Sequence, residues 1–246
     1  MPKRSGNFSS ASPTPPARYS GWFLLVVALF VTCLIVSNII ATKLVLVQGQ
    51  VITAAIVIFP ISYICGDVLT EVYGYRQARL AIWLGFLCNL IAVVAIWLGQ
   101  QLPPASFWDG QAAYERILGN TPRLLLASFL AYLVGELVNS FVLAKMKIAT
   151  QGRWLWMRTI GSTIVGQGLD SLIFITVGFM GTIAPAAMLS AILTQWFAKT
   201  VYEAIATPLT YLVVNFLKQT EQLDVYDYET SFNPLGWLKS FPKTPD

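Results

Sequence analysis

The chain has 246 residues, of which 56% are hydrophobic and only 11% charged, and it contains no histidine. Soluble proteins carry about 25% charged residues, so 16 basic and 12 acidic side chains cannot coat a water-facing surface of this size. A mean hydropathy of +0.63 excludes a disordered or fibrous chain, and a soluble nucleic-acid-binding module in spite of a pI near 9.0. The lack of histidine removes a histidine general base, His–Cys activation of a nucleophile and a histidine-ligated metal. The composition predicts an all-α, polytopic membrane helical bundle.

In chain order, residues 1–20 are polar, rich in Ser and Pro, and read as a disordered cytoplasmic tail with no cleavage site after it. A helix needs roughly 20 apolar residues to cross the hydrocarbon core. On that rule about six transmembrane helices are expected, near 21–42, 49–66, 79–99, 123–146, 159–181 and 184–217. The second is short and contains Pro60, which predicts a kink. As one helix, the last run would be about 51 Å long; it must tilt, protrude or break, with Pro208 as the break point. The outer connection 100–122 carries Trp108 and Tyr114 and is expected at the interface. Segment 219–246, acidic and then Pro-bearing, reads as a cytoplasmic tail without a fold.

Six spans with the N-terminus inside place twelve basic residues on the cytoplasmic side, among them Arg76, Arg79, Lys145, Lys147, Arg153, Arg158 and Lys218. Only Lys43, Arg116 and Arg123 fall opposite. This asymmetry predicts cytoplasmic N- and C-termini and explains the basic balance without a nucleic-acid partner. Cys33, Cys65 and Cys88 lie in apolar stretches with no CxxC spacing, which fits packing residues and no metal site.

Charge inside a bilayer costs roughly 2.5–3.5 kcal/mol per group on insertion scales and marks function by default. Four such groups fall in the spans: Glu136, Asp170, Lys199 and Glu203. Each has polar neighbours at helical spacing: Asn139 and Ser140 after Glu136, Thr163 and Gln167 before Asp170, and Gln195 with Trp196 before Lys199. Asn38 and Asn89 add amides on spans one and three. Such stripes are expected to face a shared interior, as a ligand cavity or as interhelical hydrogen bonds. At the end of span two, Asp67 and Glu71 repel at i, i+4, and Arg76 and Arg79 follow directly, a pattern that predicts a clamped charge cluster acting as a cytoplasmic gate or topological corner. No P-loop, GxSxG or HExxH pattern occurs, so neither ATP hydrolysis nor a standard hydrolase is supported, and no catalytic residue or cofactor is expected.

The stretch from Pro60 to Arg76, PISYICGDVLTEVYGYR, resembles the signature of the queuosine precursor transporter family, within the vitamin uptake transporter group. The resemblance continues through Trp83, Gly85, Phe86 and Asn89, then Gly135-Glu136 with Asn139-Ser140, and Arg158 through Asp170-Ser171, covering roughly 25–218, and residues 21–218 are expected to form one six-helix transporter domain. It implies a multi-pass inner-membrane protein that imports 7-cyano-7-deazaguanine or 7-aminomethyl-7-deazaguanine for queuosine salvage into tRNA, with the base and the lipid bilayer as its partners. A deazaguanine presents adjacent N1–H and N2–H donors that a carboxylate accepts together. Glu136 or Asp170 is expected to read that edge, Asn139 or Gln167 the O6 side, and Trp196 or Phe174 the ring. The alternative is a substrate-binding subunit of an ATPase-driven vitamin uptake complex. Such subunits carry Ala-xxx-Ala on the first span, where this chain has Ala28-xxx-Thr32 and Ser37-xxx-Ala41. An intramembrane enzyme is disfavoured by the absent histidine and the lack of acids at metal-ligand spacing.

Overall fold

The computed structural model describes residues 20–47, 50–119, 122–182 and 184–236. The expected N-terminal tail, apart from Ser20, lies outside these residues, as do Lys239 and Lys243. Helix α1 (Gly21–Ile40) starts on Ser20, whose hydroxyl accepts from the Phe23 amide at 3.0 Å, a standard N-cap. Strands β1 (Leu44–Val47) and β2 (Gln50–Thr53) form an antiparallel hairpin with Leu44 opposite Thr53. A 3-10 turn at Ala54–Val57 leads into helix α2 (Phe59–Tyr73). Then come α3 (Tyr75–Gln101), α4 (Gln111–Leu118), α5 (Pro122–Ala149), α6 (Leu155–Phe179) and α7 (Pro185–Glu221).

Among the described residues, five helices are long and apolar enough to cross a membrane. The expected second span, 49–66, is not one helix. Its β-branched first part pairs as strand, and α2 begins only at Phe59. Pro60 falls in the first turn of α2, where a missing N–H leaves nothing unpaired, so it starts the helix and does not kink it. Fifteen residues make α2 about 22 Å long, yet it returns the chain to the face where α1 began. Ser20 bonds Glu221 at the end of α7, and Glu71 near the end of α2 meets Lys218 in that same last turn.

The expected break in the last run does not occur: α7 is continuous over 37 residues with Pro208 inside it. At about 55 Å it exceeds the hydrocarbon thickness. Beside the gap left by Pro208, the Thr207 hydroxyl donates to the Glu203 carbonyl at 2.8 Å. On the other side of the bundle, α4 carries Tyr114 edge-on to Trp108, ring centroids 6.4 Å apart.

Helix α2 is the hub. It packs against α1, α3, α5 and α7, and every residue from Ile64 to Tyr75 is buried. Gly74 alone separates α2 from α3, at φ +83°, where a Cβ would also stand 2.7 Å from Val225. Segment 222–236, expected to lack a fold, is a strap across this corner. Its Val225 amide donates to Val72 O at 3.3 Å, and Asp227 Oδ2 accepts from the Tyr75 amide at 2.9 Å, an anion on a helix N-terminus. Arg79 donates to the carbonyls of Ser231 and Asn233 at 2.9 and 2.5 Å, and Trp83 Nε1 donates to Pro234 O at 2.9 Å. Basic and indole donors on the helices hold the strap by its backbone, and its Phe232 ring packs against Tyr75 and Phe141, ring centroids 5.0 and 5.2 Å away.

Helices α5 and α6 touch backbone to backbone. A Cβ on Gly135 would lie 2.8 Å from Asp170 Cβ, and one on Gly166 would lie 2.6 Å from Asn139 Cβ. Overpacking such a contact costs about 1–3 kcal/mol. Gly166→Val should therefore lower the thermal unfolding midpoint in detergent by several degrees, whereas Gly21→Ala, which meets nothing within 4 Å, should leave it nearly unchanged. Equal midpoints for both variants would refute the close crossing.

Candidate functional site

Two polar clusters flank α2 along its length. The lower one is centred on Glu71, whose side chain is fully buried. Arg158 of α6 grips both oxygens, Nε to Oε2 at 3.1 Å and Nη2 to Oε1 at 2.7 Å. Lys218 Nζ lies 2.6 Å from Oε1, and Lys147 Nζ lies 3.7 Å from it while donating to the Glu71 carbonyl at 2.6 Å. Both lysines also hold Asp224 of the strap, at 2.5 and 2.9 Å. Arg76, expected in this clamp, is exposed, and Arg79 is bound to the strap. The cations come instead from the strap-side ends of α5, α6 and α7, where the loop-charge pattern gathers basic residues.

The upper cluster lies between α2, α5, α6 and α7. Asn139 Nδ2 donates to Asp67 Oδ1 at 3.1 Å. Thr70 Oγ1 donates to the Gly66 carbonyl at 3.1 Å and lies 3.0 Å from Ser140 Oγ. Glu136 is 8% exposed and approaches α2 over Gly66, where a Cβ would stand 3.3 Å from its Oε2. Tyr63 donates to Gln167 Oε1 at 3.3 Å, and the Gln167 side chain in turn bonds Glu136. Lys199 pairs with Asp170, both electrostatic neighbours of Glu136. Glu203 is fully buried and neither of its carboxylate oxygens has a partner.

Of the residues singled out from sequence, Glu136, Asn139, Gln167, Asp170, Lys199 and Glu203 thus come together. Asp67, expected with the corner cluster, joins them, and Tyr63 and Thr70 of α2 complete the group. The remaining four lie elsewhere. Asn38 Nδ2 donates to Asn89 Oδ1 at 3.0 Å, and both line a cavity of about 400 Å³ together with Thr53, Gln100 and Phe174. Trp196 lies against Gly168 with its indole donating to Ile164 O at 2.8 Å. Gln195 has an unpartnered buried oxygen. Tyr63 and Thr70 escaped notice because α2 was placed ten residues too early, which put them at the wrong depth.

Removing one partner of a buried pair leaves an uncompensated charge, at about 3–5 kcal/mol. Arg158→Met alone should abolish monodisperse expression, while Arg158→Met combined with Glu71→Gln should recover part of it; size-exclusion profiles decide, and no recovery would sink the pairing. In the strap, burial pushes the Asp224 carboxyl up, but hydrogen bonds from Lys147 and Lys218 more than reverse this and hold it below the ordinary carboxylate range. Its stabilisation is therefore complete above about pH 4 and is lost only as pH falls through the depressed value. A spin label at the exposed Tyr228 should stay immobile at neutral pH and gain mobility only in stronger acid. Asp224→Asn should free it at pH 7.

The sequence model of the vitamin uptake transporter family matches residues 53–213. A protein of Bacillus subtilis (strain 168) named "Probable queuosine precursor transporter" is 31% identical over 188 residues, 76% of this chain and 82% of that one. The "Queuosine precursor transporter" of Escherichia coli (strain K12) is 26% identical over 121 residues, 49% of this chain and 52% of that one. No solved structure matches the chain. The matched region spans α2 to most of α7 and holds the upper cluster together with Glu71, Lys147 and Arg158 of the lower one, while Lys218 and Asp224 follow it: this chain belongs to the queuosine precursor transporter family, within the vitamin uptake transporter group.

Proposed function

We propose that the protein is a carrier, and not an enzyme, that moves a queuosine precursor, 7-cyano-7-deazaguanine or 7-aminomethyl-7-deazaguanine, across the bacterial inner membrane. Its relatives bear that activity in their names. The observation that carries the reading is the upper cluster: one apolar bundle buries Glu136, Gln167 and Tyr63 beside the Asp170–Lys199 pair. Glu136 accepts the adjacent N1–H and N2–H donors of the base, as carboxylates accept paired donors. The Gln167 amide, which now bonds Glu136, turns to O6. The cavity at Asn38 and Asn89 serves as the vestibule on the opposite face from the strap; its volume falls within the roughly 300–1,000 Å³ of small-ligand sites.

Both described chain ends lie on one face with Arg158, Lys147 and Lys218. By the positive-inside rule that face is cytoplasmic, which puts both ends of the 21–218 domain there, the second followed by the 222–236 strap in place of a loose tail. Acids outnumber bases in the upper cluster, which suits the cationic aminomethyl form as well as the neutral cyano form.

Purified protein in liposomes without ATP should take up labelled 7-cyano-7-deazaguanine. The two deazaguanines should compete strongly, and adenine, which lacks the paired donor edge, should compete weakly. Glu136→Gln, which puts an NH₂ where an acceptor is needed, should reduce uptake at least tenfold. Uptake unchanged in both Glu136→Gln and Asp170→Asn would overturn the assignment of the site.

A further inference from the structure

We propose that Asp67 and Glu203, closed over by Asn139, form a proton site that fills and empties with the transported base; this inference rests on the carrier reading above. The three groups come from α2, α7 and α5, and their exposures are 1%, 0% and 5%. The Asn139 amide carries two N–H donors, and it donates to Asp67 Oδ1. That leaves Asp67 Oδ2, Asn139 Oδ1 and both oxygens of Glu203 as buried acceptors with no donor. Of the hydroxyls on α2 and α7 themselves, Thr70 donates to Gly66 O and Thr207 to Glu203's own carbonyl. The neighbouring cations are committed too. Arg158, Lys147 and Lys218 converge on Glu71, and Lys199 holds Asp170.

Buried acceptors require donors, and an unpaired carboxylate in an apolar interior is strongly disfavoured. A proton on Glu203, and one on Asp67, turns each acid into the donor that the other acceptors lack. The near-zero exposures leave no room for a water-sized occupant at either carboxylate. Among the described residues, no group of three or more Cys, Asp or Glu is placed to hold a metal ion. A proton is the occupant that fits.

The groups facing the site agree with this choice. Asp67 faces Glu203 of α7, Glu136 of α5 and Glu71 of its own helix. On α2, Tyr63 lies near Glu136, Glu203 and Asp170 of α6. The thiol of Cys33 on α1 faces Cys65, and Arg79 and Tyr75 of α3 are turned to the strap. Among the described residues, no unpaired cation looks into the site. The closed bundle is thus the protonated form. When the base leaves Glu136 and the inner side opens, the proton passes from Glu203 to water. Lys199 lies one helical turn from Glu203 on the same face of α7; once the proton has left, it turns from Asp170 to Glu203 and supplies the counter-charge on which the empty, deprotonated carrier reorients. Base and proton therefore travel in the same direction.

The test uses the full chain in liposomes with labelled 7-cyano-7-deazaguanine, which is neutral. Counterflow against unlabelled internal base, with no gradient, checks transport itself; if counterflow fails, the carrier reading falls and the proton site with it. Given counterflow, an acid-outside gradient should drive accumulation, up to tenfold per pH unit for one proton per base. Counterflow without gradient-driven accumulation overturns the proton site and leaves the carrier standing. Accumulation driven by sodium at equal pH overturns it as well. Glu203→Gln carries a permanent donor and should fold in the closed form but lose gradient-driven accumulation; retention of accumulation in both Glu203→Gln and Asp67→Asn counts against the proposal. Unmutated protein gives an independent reading: base binding in weakly buffered detergent should change the pH of an indicator dye, and no proton exchange refutes the site.

Discussion

The Glu71 carboxylate, held by Arg158, Lys218 and Lys147, is the interaction on which the rest of the structure depends. A helix as short as α2 cannot be fixed by hydrocarbon thickness alone, since a bilayer does not specify the depth of a segment that fails to span it. Three cations from three other helices specify it instead. They pin the inner end of α2, and with it the depth of Asp67 one turn above and of Tyr63 two turns above. The same lysines reach Asp224, so the strap and the hub share counter-ions. Pairs of this kind specify arrangement more than they add stability, and arrangement is what a ligand cluster on a short helix requires.

Above that anchor the bundle concentrates its polarity where backbones meet most closely. Gly66, Gly135 and Gly166 remove side chains from the crossings that bring Glu136, Asp170 and Asn139 inward. Small residues let transmembrane helices approach and exchange hydrogen bonds. Here the approach also excludes water, so a buried acceptor with no donor, such as the Glu203 carboxylate, is conspicuous. The carboxylate environments differ sharply: Glu71 has more cations than it needs, Asp170 has one, and Glu203 has none.

Much of this was legible in the sequence, and what was not has identifiable causes. The helical membrane bundle follows from 11% charge and the long apolar runs. The grouping of Glu136, Asn139, Gln167 and Asp170 follows from spacing, because in a bilayer a polar stripe must turn inward. The hairpin at 44–53 escaped because Val and Ile runs serve strand and transmembrane helix alike. That error misplaced α2 and hid Tyr63 and Thr70. The strap escaped for a different reason. Beside Asp224 and Asp227, much of its binding is through main-chain carbonyls at Ser231, Asn233 and Pro234, and backbone acceptors leave no trace in residue type. Arg79 read naturally as a partner for nearby acids, yet it serves those carbonyls, whereas Glu71 draws its cations from residues 76 to 147 positions away. Local charge pattern predicts local pairs, and this cluster is assembled across the whole chain.

That separation bears on how the protein is made. Glu71 leaves the ribosome 147 residues before Lys218. At roughly 5–20 residues per second, the interval is about 7–30 s. Lys147 and Arg158 emerge about halfway through it, 76 and 87 residues after Glu71; until then this short, acidic helix has no counter-ion, and until Lys218 arrives its set is incomplete, so it must wait in the insertion machinery or at the aqueous interface. The final packing of the N-terminal half is therefore post-translational, completed when the last helix arrives and its strap folds down.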